Sequence, residues 1–196
     1  MKRRRSLISA FTVVLIGAIA SSATMALEVD SEQSRVSLVS TKILADGTAS
    51  VTEVFSFNSL AGSVTDEGLA TVTIDLGDVD TGIDIRNERM SEFFFEVSEY
   101  PEATVTAQIP DSTLEVGNQL MDLQVSVDMH GSQTDYLVPV VINSNSETVS
   151  VVATEPVLVD AASFELKGGL AKLGELAGLL HIPSTVPVSF TLSFTR

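Results

Sequence analysis

The chain has 196 residues, with 26 Asp and Glu against 11 Lys and Arg, a formal charge of −15, and neither Cys nor Trp. That length suits one domain. Without cysteine there is no disulfide framework, thiolate metal site, iron–sulfur cluster or cysteine nucleophile, and the acidity argues against nucleic acid or an anionic membrane as partner, since both are recognised by clustered cations.

Lys2, Arg3, Arg4 and Arg5 precede an apolar run from Leu7 to Ala20, and small residues follow up to Ala26. This is the layout of a secretory signal. Thr24 and Ala26 satisfy the small-x-small cleavage rule, with Ser21 and Ala23 as second choice, so the mature chain is expected to begin at Leu27. Fourteen residues of helix reach about 21 Å against a bilayer core of roughly 30 Å, too short for an anchor. All 26 acids follow Ala26 but only seven cations do, which leaves −19 on residues 27–196. The expected compartment is the periplasm or the exterior.

From Arg35 onward the dominant pattern is period two, the mark of strands with one buried face. Weaker alternation covers 35–43 and 51–57. Val72, Ile74 and Leu76 then alternate with Thr71, Thr73 and Asp75. Asp78, Asp80, Gly82 and Asp84 imitate the start of a calcium loop, but Ile83 stands where such a loop needs glycine and Arg89 where it needs its closing glutamate, which leaves a solvated acidic turn. Asp84 is placed to cap a short helix through Phe95, with Met90, Phe93 and Phe94 at helical spacing. The three phenylalanines at 93–95 cannot all face one core, so at least one must meet a second apolar environment.

Ala103, Val105, Ala107 and Ile109 form the next strand, and Met121, Leu123, Val125, Val127 and Met129 the one after. Residues 135–142 and 148–154 alternate more weakly, whereas Val186, Val188, Phe190, Leu192 and Phe194 do so without exception. Asp46-Gly47, Gly117-Asn118 and His130-Gly131 are the turn signals between them. Eight short strands so spaced predict an antiparallel barrel or sandwich. Between the seventh and eighth, residues 162–180 carry leucines every three or four positions and four glycines, which predicts a weak helix hinged at Gly168-Gly169 and covering one end. His130 and His181 are the only histidines and neither has zinc-ligand spacing, while no Gly-x-Ser-x-Gly elbow marks a serine nucleophile.

Val79-Asp80-Thr81-Gly82, Arg86-Asn87-Glu88-Arg89-Met90, Phe93-Phe94-Phe95 and Tyr100-Pro101-Glu102-Ala103-Thr104 together resemble the signature of the YceI-like family, as does the hairpin from Leu123 to Val140 turning at His130-Gly131. The resemblance implies an all-β fold, an eight-stranded antiparallel lipocalin-like barrel with one or two short helices, spanning residues 27–196 after a signal peptide at 1–26. It implies an apolar interior holding a polyisoprenoid, quinone-like or similar long-chain molecule, with no catalytic residue, metal or cofactor. The expected lining is Phe55, Phe57, Val72, Ile74, Phe94, Val105, Leu123, Val125, Val127, Phe190 and Leu192.

The leading expectation is an exported carrier or sequestering protein without a stable membrane anchor. Its rival is a non-enzymatic structural or stress-related protein with a barrel filled by its own side chains. The basic pairs Arg86 with Arg89 and Lys167 with Lys172 form no phosphate cradle by spacing alone, so a neutral ligand head group is expected.

Overall fold

The computed structural model describes residues 25–110 and 116–196. All but the last two residues of the expected export signal lie outside the described residues. Among the described residues thirteen strands form: β1 Met25–Val29, β2 Arg35–Leu44, β3 Ser50–Phe57, β4 Leu60–Thr65, β5 Leu69–Asp75, β6 Val79–Asp80, β7 Glu102–Gln108, β8 Gly117–Met129, β9 Ser132–Ser144, β10 Thr148–Ala153, β11 Val157–Asp160, β12 Leu179–His181 and β13 Thr185–Thr195. Helix α1 spans Asp84–Arg89 and runs into a π turn at Met90–Phe94, and α2 spans Lys167–Leu176.

These strands make eight walls of one closed antiparallel barrel, because several are halves of a single bent strand. β1 and β2 both lie along β13, with Val29 opposite Phe194 and Val36 opposite Phe190. On their other side β4 pairs with β1 and β3 with β2. β10 and β11 likewise share β13. Each wall therefore pairs with its neighbours in sequence, and the last closes onto the first, which removes the exposed sheet edges that invite aggregation. Asp30 makes the first bend by accepting hydrogen bonds from the backbone amides of Glu32 and Gln33. Asp75 does the same for Gly77 where β5 gives way to β6.

The eight predicted strands are the eight walls, with several boundaries moved. Gly117-Asn118, expected as a turn, opens β8 and pairs with Ser144 and Asn143. His130-Gly131 does turn, joining β8 to β9 with φ of 53° and 73°, positive at both central residues as a tight type I′ hairpin requires. At α1 the cap position belongs to Ile83, which offers no side-chain bond, and Asp84 is instead the first helical residue, where its charge suits the helix dipole. The predicted helix across 162–180 divides into a turn at Ala161–Phe164, α2, and β12 paired with β2.

One end of the barrel is packed solid around Leu27, Val64, Ile142, Val149 and Phe194, all buried. At the other end Phe57, Leu76, Met90 and Phe95 form a second cluster beneath the π turn, and Phe164, with no exposed surface, anchors the turn before α2.

Candidate functional site

Between these clusters lies a cavity of about 470 Å³, within the range of about 300–1,000 Å³ usual for small-molecule sites. The interior is hollow because its walls are built largely from Val, Ala, Ile and Leu, whose side chains do not reach across an eight-stranded barrel. All eleven residues of the expected lining stand on its wall: Phe55 and Phe57 from β3, Val72 and Ile74 from β5, Val105 from β7, Leu123, Val125 and Val127 from β8, Phe190 and Leu192 from β13, and Phe94 from the π turn. The Phe93–Phe95 run divides as its geometry demands. Phe95 is buried beside Phe57, Phe94 faces the cavity, and Phe93 turns outward toward Gly168 and Gly169.

The cover is made by both helices. Ile83 and Ile85 from the α1 region, and Leu170, Leu173 and Ala177 from α2 onward, line the same end of the cavity. No α2 residue is buried, so this helix is held by its apolar stripe more than by enclosure.

Beside them stands a charged cluster that no spacing along the chain assembles. Lys42 of β2, Glu53 of β3 and Arg86 of α1 all line this end, with Arg89 next to them. Lys42 Nζ donates to Glu53 at 2.7 Å, and Arg86 donates to both Glu53 carboxylate oxygens at 2.8 and 3.2 Å. Arg86 also donates to the Thr81 carbonyl at 2.6 Å and lies 4.6 Å above the Phe55 ring, a cation–π contact. The Arg86 hydrogen bonds, and after them the one from Lys42, hold the Glu53 carboxyl down at about 2. A signal for this cluster was present. The alternation that turns Phe55 and Phe57 inward turns Glu53 inward too, and the one through Val36 and Leu38 reaches Ser40 and Lys42.

The other singled-out residues lie elsewhere. His130 Nε2 sits 2.8 Å from Glu96, its ring 4.2 Å from Tyr100, fixing the hairpin tip, and His181 is exposed on β12. Asp80 accepts from the Gly82 amide within the acidic turn, and Asp78 accepts from the hydroxyl of Ser59 in the turn between β3 and β4, so two of its carboxylates are spent on protein hydrogen bonds. Among the described residues no group of three or more His, Asp and Glu is placed to hold a metal.

A family model for the YceI-like domain matches residues 27–194. The chain belongs to the YceI-like family. A YceI-like structure similar to it is a polyisoprenoid binding domain from Saccharophagus degradans implicated in plant cell wall breakdown, 33% identical over 88% of this chain and 99% of that one, with a TM-score of 0.82. Burkholderia cenocepacia BcnA is 21% identical, covering 84% and 98% of the two chains at a TM-score of 0.63. The Campylobacter jejuni YCEI protein is 11% identical, covering 72% and 84% at 0.53. The last two share the YceI-like fold at identities that speak to fold alone. No curated protein matches the chain significantly.

Proposed function

We propose that this protein is an exported, non-enzymatic carrier or sequestering protein that holds a long apolar molecule, of polyisoprenoid or quinone-like kind, inside its barrel. The observation that carries the reading is the cavity: apolar along the barrel, polar mainly at the covered end. Burying ten methylenes there contributes about 8 kcal/mol before the loss of ligand freedom, enough for useful affinity without any special residue. The 33% identity to a polyisoprenoid binding domain supports the same ligand class. A filled-barrel structural role is disfavoured by the same open volume.

Export rests on the basic start, short apolar run and Thr24-x-Ala26 step of residues 1–26. Periplasmic or secreted protein is then free of a membrane anchor once the signal is cleaved, and among the described residues no helix is long and apolar enough to cross a bilayer. Native mass spectrometry of protein from the periplasm of its own host tests both points. The expected species is the chain from Leu27 to Arg196 carrying added mass that an organic extract identifies as a long-chain apolar compound. A bare chain with an empty extract would defeat the carrier, and a chain still starting at Met1 in the membrane fraction would defeat export.

A further inference from the structure

The barrel closes, but not by hydrogen-bonded strands alone. β9 is laddered to β10 from Val140 to Ser144, and the amide and hydroxyl of Thr154 both donate to the Pro139 carbonyl where that ladder stops. Beyond this point β11 follows β13, from Val157 opposite Val188 to Asp160 opposite Thr185. Among the described residues no backbone hydrogen bond joins β11 to the first half of β9. The two strands are therefore separated by a seam, about 13 Å long over the four residues of β11.

A side chain stops this seam. Phe164 has no exposed surface and packs in one cluster with Tyr136 of β9 and Val159 of β11. Tyr136, Val138, Val157 and Val159 line the cavity on either side, while Leu137 and Leu158 of the same strands point outward, 66% and 65% exposed. The path from solvent to cavity is thus apolar at its outer lip, at its stopper and on its inner wall. A chain entering by the covered end would instead slide past Lys42, Glu53 and Arg86, charges that lose hydration against an apolar molecule.

The stopper is also joined to the cover. Asp160 accepts from the Ala162 amide and the Ala161 amide donates to the Ser184 carbonyl, which fixes the start of the Ala161–Phe164 turn to the barrel. Its far end passes into α2 through Glu165, held at φ 58° and ψ 18°, a left-handed conformation that a residue with a side chain adopts at a cost. Lifting α2 from its seat lets Glu165 relax and draws Phe164 out of the seam.

We infer that the seam between β9 and β11 is the portal through which the long apolar ligand enters and leaves sideways, with Phe164 as its stopper and α2 as the element that works it. This rests on the carrier reading and adds the route.

The chain has no cysteine, so one introduced thiol takes up one maleimide-linked polymer. Delipidated protein is mixed in stopped flow with retinol, an apolar isoprenoid whose fluorescence rises in an apolar site. Polyethylene glycol on Leu158→Cys, at the lip of the seam, should slow entry about tenfold. The same polymer on Leu180→Cys, exposed on β12 beside the covered end, should leave the rate as it was. Phe164→Leu, a change outside the cavity lining, should speed entry and exit together by about tenfold with the dissociation constant little changed. The labelled proteins keep Phe164 and decide the route whether or not that variant folds. Slowing at Leu180 alone, at both positions equally or at neither, or unchanged rates in folded Phe164→Leu, overturns the portal and leaves the carrier standing. No retinol binding by the unlabelled protein overturns both.

Discussion

Glu53 stands at an inward position of β3 where the alternation calls for an apolar side chain, and its burial is offset by Arg86 and Lys42 on either side. The three side chains keep between 20% and 29% of their surface exposed, so solvent screens the network and its net worth is about 1 kcal/mol rather than the larger figure the pKa shift alone suggests. The sign follows from the direction of that shift. A carboxyl with an ordinary value of 4.5 held at about 2 in the folded protein stabilises fully above the ordinary value and loses that contribution as pH falls toward the folded one. Urea unfolding across this acid range should therefore show a loss of stability that Glu53→Gln flattens, with the variant about 1 kcal/mol weaker at neutral pH. An unchanged acid slope in the variant would show that Glu53 does not tie α1 down. Such a residue is legible in the sequence only as a break in pattern: its inward parity can be read, but its partners come from β2 and α1, and no spacing along the chain brings them together.

The strands were legible as elements because one buried and one wet face write period two into the sequence, as Val186 through Phe194 do. β4 was not, since Leu60 and Val64 are separated by Ala61, Gly62 and Ser63, and its place is fixed by pairing with β1 and β5. The leucine-rich stretch shows the same limit. Gly168-Gly169 reads as a hinge, but a Cβ on Gly169 would stand 2.3 Å from the Phe93 carbonyl oxygen and 2.7 Å from Phe94 Cα, so this glycine is where α2 touches the π turn. Gly174 faces open space, with nothing within 4 Å. The two substitutions should then act oppositely. Gly174→Ala removes a helix-weakening residue worth up to about 1 kcal/mol, whereas Gly169→Ala forces α2 off its seat. With no buried residue of its own, α2 should exchange its amide hydrogens faster than β13 in the empty protein and become protected when ligand fills the space under Leu170 and Leu173. Gly174→Ala should slow that exchange and Gly169→Ala hasten it. Protection of α2 equal to that of β13 with and without ligand would make the helix a fixed plug instead of a cover.

At the scale of the whole molecule, closure and charge pull in different directions. Closing β13 onto both β1 and β2 commits the first and last strands to one another, so the barrel opens as a unit and not from a free edge. The outer surface opposes that closure, because residues 27–196 set 26 acids against seven cations, and like charges at this density favour expansion. Ion pairs offset little of it: Lys42 and Arg86 share Glu53, Lys172 meets Glu175 in an exposed pair within α2, and His130 stands 2.8 Å from Glu96, and exposed pairs are worth about 0–1 kcal/mol each. Added salt weakens both effects, but the repulsion acts over many residues and the attraction over few. Simple monovalent salt should accordingly raise the urea midpoint at neutral pH, most steeply while the Debye length falls from about 30 Å toward 10 Å, and flatten once screening is complete. Sodium and potassium chloride should act alike, since screening depends on ionic strength and not on which monovalent cation supplies it. A midpoint that falls with salt would mean that the Lys42–Glu53–Arg86 network outweighs the self-repulsion of the surface.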